Sequence, residues 1–321
     1  MDEFSFIASL RQPFYKQSSL IKGIGDDAAV LRNPSEDLVI SVDTFAEGIH
    51  FTRQTMSLED IGYKALAANI SDLAAMGARP AFYLLSLAIP KEWEMEDVQR
   101  IIMGMREIGD TFNMDLIGGD TVSSGSLVLS VTVMGYVDQD RASYRSTAEE
   151  GDVVFVTGTL GDSAKGLQLL LQPEQELEHR TYFESRHQRP SPRAKFAYEV
   201  AKHTRVTLND ISDGIASEAN EIAESSSIDL HIQYEQLPVH EALSEDDEKD
   251  KWILSGGEDF ELIGTVARKD WPIVHKVASQ TNVQVTEIGK VVPKSGEIGQ
   301  AWLRKEGLMS RLNKSGYNHF K

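Results

Sequence analysis

Six aspartates carry the chemistry this sequence offers. Asp27, Asp43, Asp72, Asp120, Asp210 and Asp213 each abut glycine, a hydroxyl residue or an apolar run. Taken singly, most have an ordinary explanation. Gly23-Ile-Gly-Asp-Asp27 reads as a turn, Asp43 as the cap of the segment that follows it, and Asp210 and Asp213 as helix-entrance residues. Gly118-Gly119-Asp120-Thr121 also reads as a turn, although two glycines let backbone N–H groups come close to a phosphate. Jointly the pattern says more, because carboxylates scattered over unrelated segments match the way Mg²⁺ is held: a few oxygen ligands from the protein, the rest from water and substrate phosphates. The chemistry to expect is Mg²⁺-dependent phosphoryl transfer.

The elements that must position these groups follow from periodicity. Leu38-Val-Ile-Ser-Val42 is a short apolar run that reads as a buried strand delivering Asp43 at its end. Ser57 with Asp60 resembles a capping box and opens a helix to about Met76, stopped at Gly77 before Pro80. On that helix Ile61, Ala65, Ala68 and Asp72 share a face, so the carboxylate leaves a surface that otherwise wants burial and needs a cation or a positive partner. A strand over 81–89, a helix over 96–112 and a strand over 127–137 follow. Beyond them come a strand over 153–156, a helix through Leu171, helices over 194–203 and from Gly214 to Ser225, and strands near 228–233 and 261–266. Residues 172–192 and 238–250 read as polar loops.

Composition limits the alternatives. The 321 residues are better divided into two domains than packed around one core, with a boundary between 138 and 151, taken as 1–145 and 146–321. Two domains also offer a cleft between them. A formal charge of −18 disfavours nucleic acid and anionic membrane as partners. No apolar run approaches membrane-spanning length, and the start of the chain lacks a signal-peptide pattern. With no cysteine there is no thiol nucleophile or disulfide, which points to a cytoplasmic protein. Walker, Rossmann and protein-kinase signatures are missing too, so a phosphate would have to be bound in another way.

Seven segments together resemble one family. They are Gly23-Ile-Gly-Asp-Asp-Ala-Ala-Val30, Asp43-Thr44 with Glu47-Gly-Ile-His-Phe51, Asn69-Ile-Ser-Asp-Leu-Ala-Ala-Met-Gly-Ala78, Gly118-Gly-Asp-Thr121, Asp210-Ile-Ser-Asp-Gly214, Gly256-Gly-Glu-Asp-Phe260 and Gly316-Tyr-Asn-His-Phe320. In this order they are similar to bacterial thiamine-monophosphate kinases, members of the aminoimidazole-ribonucleotide synthetase-like superfamily. The resemblance implies an α/β (α+β) fold of two domains, the N-terminal one dimerising through its sheet and the C-terminal one completing the active-site cleft. It implies Mg²⁺ ligands at Asp27, Ser41, Asp43, Asp72, Asp120, Asp210 and Asp213, and nucleotide contacts at Gly119, Asp120, Arg145 and Ser212. Thiamine-phosphate contacts would fall on His50, Glu258 and Tyr317, where an anionic carboxylate and an aromatic face suit a cationic thiazolium. Asn318 stands where the family more often has Asp.

The implied reaction joins ATP and thiamine monophosphate to give thiamine diphosphate and ADP. The attacking phosphate oxygen is already anionic, so no acid–base residue is assigned. The implied cofactors are several Mg²⁺ ions, with ATP as co-substrate, and a homodimer is implied as well. Two other readings stand beside this one: another ATP-using synthetase of the same superfamily, and a non-catalytic protein that binds divalent cations.

Overall fold

The computed structural model describes residues 14–22, 30–31, 35–172, 174, 178–243 and 246–315, so Asp27 and Tyr317 lie outside the described residues. The chain divides into two compact units. One holds what is described up to Leu73 together with Arg79–Asp140; the other holds Ala74–Ala78 and what is described from Arg141 onward.

The first unit begins with the short antiparallel pair β1 (Leu20–Lys22) and β2 (Val30–Leu31). It continues through β3 (Glu36–Ala46), α1 (Leu58–Ala75), β4 (Arg79–Pro90), α2 (Met95–Thr111), β5 (Asp115–Ser124) and β6 (Val128–Asp138). A four-stranded sheet in the order β3-β6-β4-β5 is its frame, which leaves β3 and β5 as opposite edges. Alternation along the strands separates two faces. Phe45, Leu129, Val131, Val133, Leu85 and Leu87 are buried on the face that carries the helices, whereas Leu38, Ile40 and Val42 are exposed on the other.

Local chemistry sets both helices. Ser57 Oγ accepts the Asp60 N–H at 3.1 Å, the N-cap bond expected from the sequence, and donates to the Asp60 carboxylate at 2.6 Å. Helix α2 buries Val98, Ile101, Met105 and Ile108, a stripe at helical spacing. The two helices touch through glycine: a Cβ on Gly62 would lie 1.9 Å from the Ile101 carbonyl oxygen, and one on Gly104 only 1.8 Å from that of Glu59. No other residue type permits so close a backbone approach.

The second unit runs β7 (Val153–Thr157), α3 (Asp162–Leu171), α4 (Arg180–Gln188), α5 (Ala194–His203), β8 (Val206–Asp210), α6 (Ile215–Ser226) and β9 (Ile228–Gln233). It continues with α7 (Lys249–Ser255), β10 (Leu262–Val266), α8 (Trp271–Thr281), β11 (Val285–Pro293), β12 (Ala301–Lys305) and β13 (Leu308–Arg311). Its sheet has seven strands in the order β13-β12-β9-β11-β7-β10-β8. On one face Val154, Val156, Ile215, Ala219 and Ile222 share a core. On the other, Phe155 packs against Phe196 of α5 and Trp271 of α8, so helices cover both sides.

Three expectations from the sequence need correction. The run Leu38–Val42 is not a buried strand ending at Asp43: β3 continues to Ala46, and Leu38, Ile40 and Val42 are exposed because they alternate onto the face without helices. Gly118-Gly119-Asp120 is part of strand β5, paired in parallel with β4, and is not a turn. The reason is steric: a Cβ on Gly119 would sit 1.9 Å from the Leu85 carbonyl oxygen, so the glycine serves a tight strand contact. The segment read as a polar loop, 172–192, contains α4, whose buried side chains are Phe183 and His187, four residues apart on an otherwise polar helix.

The glycine contact between α1 and α2 is open to test. Gly104→Ala should destabilise the protein by about 1–3 kcal/mol through overpacking, seen as a lower denaturation midpoint in urea with an unchanged slope.

Candidate functional site

In the first unit the site is assembled on the helix-covered face of the sheet. Ser41 and Asp43 are two residues apart on β3 and therefore project to the same side, toward α1. Ser41 Oγ donates to the Asp72 carboxylate at 2.5 Å, which joins the strand to the helix at the two places where the sequence put oxygen ligands. One turn earlier on α1, the buried Asn69 accepts the Asp43 N–H on Oδ1 at 3.0 Å and donates from Nδ2 to the Ala65 carbonyl at 2.8 Å. Asn69 lies in the Asn69–Ala78 motif but is not among the residues the resemblance assigns to the site; its sequence signal is an amide three residues before Asp72 on the same helix. Burial pushes Asp43 above the ordinary carboxylate pKa, which marks it as a group that would gain from a cation.

The other residues assigned to this unit are placed differently. Asp120 lies in the register row of Ser86, Ser130 and Thr44, one row beyond that of Asp43, and so on the opposite face and on the far edge strand. Three strand spacings, about 14 Å, separate the two edges. Gly119 occupies the Asp43 row. His50 follows β3: its Nδ1 accepts the Ala46 N–H at 3.1 Å and its ring lies beside Phe45, 5.2 Å between centroids. With Nδ1 accepting, the neutral ring carries its hydrogen on Nε2, a donor.

In the second unit the site forms where β8 ends and α6 begins. Asp210 is the last residue of β8, and the turn Ile211–Gly214 leads into the helix. The turn is pinned to the Gly256–Phe260 segment by backbone bonds: Ser212 O accepts the Glu258 N–H at 2.7 Å, and Ile211 O accepts the Phe260 N–H at 3.0 Å. Glu258 and Phe260 adopt left-handed backbone conformations, with φ of 66° and 49°. That costs each residue about 1–3 kcal/mol and persists because the flanking bonds hold it. Residues assigned to nucleotide (Ser212) and to substrate (Glu258) thus come into direct contact.

Glu218, Glu221, His187 and Glu261 escaped sequence reasoning, and they surround the assigned Arg145 and Glu258 or the turn between β8 and α6. Glu218, on α6, accepts the Asp213 N–H at 2.9 Å, and burial, with Asp210 and Asp213 as like charges, pushes its pKa up to about 8. Arg145 Nε donates to Asn209 Oδ1 at 2.8 Å, and its Nη1 pairs with Glu221 at 3.2 Å. Glu258 Oε2 stands 3.6 Å from Nδ1 of the buried His187, which also meets Ser163 Oγ at 3.1 Å. Next to Glu258, Asp259 accepts the Gly161 and Ser163 N–H groups at the start of α3; burial, with Asp162 second, pushes it up to about 8. Glu261 would be raised by burial, but Arg193 and Arg186 hold it below its usual range.

The donor set is made of hard oxygens, carboxylate and hydroxyl, which suits Mg²⁺ and not a soft metal. Among the described residues, no three His, Asp or Glu side chains converge closely enough to hold a metal alone. Also among the described residues, no helix is long and apolar enough to cross a membrane.

A two-unit α/β chain, with carboxylates on β3 and at the end of β8, matches the two AIR synthase related domain models. Residues 25–137 match the N-terminal domain of that family and residues 149–301 the C-terminal domain. The chain is 44% identical to the thiamine-monophosphate kinase of Bacillus subtilis over 327 aligned residues, covering 100% of both chains. The solved thiamine-monophosphate kinase of Stenotrophomonas maltophilia superposes with a TM-score of 0.85 at 33% identity, over 96% of this chain and 98% of that one. A further solved structure, described as AaThiL complexed with AMPPCP and TMP, superposes at 0.79 with 30% identity, over 99% and 97%. The chain therefore belongs to the AIR synthase related proteins and, within them, to the thiamine-monophosphate kinase family.

The amide of Asn69 provides a test of how Asp43 is held. Asn69→Ala should lose about 1–3 kcal/mol of stability by leaving the Asp43 N–H unpaired, measured by urea denaturation, and should lower turnover as well.

Proposed function

We propose that the chain transfers the terminal phosphoryl group of ATP to thiamine monophosphate, forming thiamine diphosphate and ADP. The observation that carries this is the Glu258 N–H to Ser212 O bond. It brings the backbone of Glu258, assigned to substrate, against Ser212, assigned to nucleotide, and the family has a solved member described as complexed with AMPPCP and TMP. A phosphate oxygen of thiamine monophosphate attacks the γ-phosphorus, the bond to the β,γ-bridging oxygen breaks, and ADP leaves with the electron pair. The attacking oxygen is anionic at neutral pH, so no side chain has to remove a proton, in keeping with the sequence.

The work of the protein is then to bind and orient. Ser41, Asp43 and Asp72 in the first unit would hold Mg²⁺, as would Asp210 and Asp213 in the second, with Asp27 assigned to the same task. Bound there, Mg²⁺ neutralises the repulsion between two polyanions. Arg145 offers a planar cationic fork for phosphate oxygens, and its bonds to Asn209 and Glu221 set the direction of that fork. Glu258 would offer its anionic carboxylate to a cationic thiazolium, and His50 and Tyr317 are the other residues that the family resemblance assigns to thiamine phosphate. A cytoplasmic location, suggested by the absence of cysteine, belongs to the same reading.

The position of Asp120 supports a homodimer. Asp120 and Asp43 sit on opposite edges of one sheet, so within one copy they are too far apart to share an ion. The exposed apolar face of β3 offers the surface on which a second copy would sit: Ile40 and Val42 are each 58% exposed and Leu38 is 46% exposed. Two sheets joined through that face could bring an Asp120 to the edge that carries Asp43.

ADP release measured with thiamine monophosphate, unphosphorylated thiamine and an aminoimidazole ribonucleotide precursor tests the assignment. Only the first should support turnover, and equal rates with thiamine would sink it. Asp72→Asn should reduce turnover by at least about 100-fold with an unchanged melting curve; wild-type rates would remove the cation role of that carboxylate. Ile40→Lys should shift sedimentation from dimer to monomer and lower turnover with it.

A further inference from the structure

We propose that Glu218 is a positioning residue for the Ser212–Asp213 turn, holding it in the conformation that presents Asp213 to the nucleotide-bound cation. The inference rests on the reading of Asp213 as a cation ligand given above. Glu218 is the fourth residue of α6, and side chains on a helix lean toward its N-terminus, so the carboxylate reaches back over the turn that precedes the helix. Its Oε1 accepts the Asp213 N–H at 2.9 Å and lies 3.4 Å from the Ser212 hydroxyl, which can donate to it. The contact is like that of a capping box displaced by one residue, with the acceptor serving the N–H just outside the helix.

The other walls of the turn are backbone. A Cβ on Gly214 would lie 2.9 Å from Ser255 Cα, and one on Gly257 would lie 2.6 Å from the Ser212 carbonyl oxygen. The turn is thus clamped between the end of α7 and the Gly256–Phe260 segment on one side, and the Glu218 carboxylate on the other. Glu218 is 3% exposed, and its second oxygen is buried without a hydrogen-bond partner among the described residues. An orphan buried oxygen is costly, and a residue chosen only for stability would not leave one. That oxygen is sealed from solvent, which argues against direct ligation and for action through Asp213.

Three variants decide the matter. Glu218→Gln keeps an acceptor oxygen in place, Glu218→Ala removes it, and Glu218→Asp keeps the charge but withdraws the oxygen by one methylene. The readouts are Mn²⁺ affinity in the presence of a nonhydrolysable ATP analogue, followed by electron paramagnetic resonance, and the exchange rate of the Asp213 amide. Ala and Asp should weaken Mn²⁺ binding about 10-fold or more and speed amide exchange, as loss of an orienting partner does in other metal sites, while Gln retains most of the affinity. If Ala does not fold, the Asp and Gln pair still decides. Unchanged Mn²⁺ affinity in Ala or Asp, or a Gln variant as impaired as Asp, overturns the proposal. Failure of the wild-type protein to bind Mn²⁺ with the nucleotide would instead overturn the reading of Asp213 itself.

Discussion

A carboxylate taken out of water must be matched by donors or by positive charge, and this requirement organises both units. Glu261 meets it within the protein: fully buried at the start of the strand segment after Gly256–Phe260, it is held by Arg186 and Arg193 and by the Thr157 hydroxyl. Asp259 meets it with two backbone amides at the start of α3. Asp43 is different, because its backbone is fastened by Asn69 while its carboxylate is raised by burial alone. Glu218 is raised by burial and by Asp210 and Asp213 as like charges, and its Oε1 accepts the Asp213 N–H. Glu261 is answered within the protein, whereas Asp43 is left with a demand that a cation would meet.

The same contrast explains why the second unit carries left-handed residues at Glu258 and Phe260. A hairpin of ordinary geometry would not press the Gly256–Phe260 segment against the turn after β8. Gly257 allows the approach, Ser212 and Ile211 carbonyls receive the two N–H groups, and Glu258 is left facing His187. Backbone strain is thereby balanced by hydrogen bonds whose consequence is proximity of two loops far apart in the chain. The catalytic demand in this reaction class is positioning, and rigid loops serve it better than mobile ones.

Much of this was legible beforehand. The helix opened by Ser57 and Asp60 and the helix entered after Gly214 appear where periodicity and capping put them, and a strand does carry Asp43, although it runs on to Ala46 and leaves Leu38, Ile40 and Val42 exposed. Helix α4 was missed because its sequence is polar apart from Tyr182 and Phe183, and only Phe183 and His187 are fully buried, too narrow a stripe for a pattern search. Strand β5 was missed because paired glycines are ambiguous: they permit a turn, and they equally permit two strands to approach within contact of a carbonyl. Glu218 and Asn69 were missed for another reason. Each is an ordinary helix residue until the turn or strand that it supports is folded against it.

The sequence alone determined the inventory: oxygen donors without cysteine, the capped and amphipathic segments that carry them, and an order of motifs matching one family. Those properties are local, since composition, spacing and capping depend on neighbours along the chain. Only the tertiary structure decided which donors meet. Alternation on β3 turned Ser41 and Asp43 toward Asp72, the sheet order sent Asp120 to the far edge, and a backbone bond between distant loops joined Ser212 to Glu258. Pairing of strands is a contact between remote segments, so no reading of spacing could supply it.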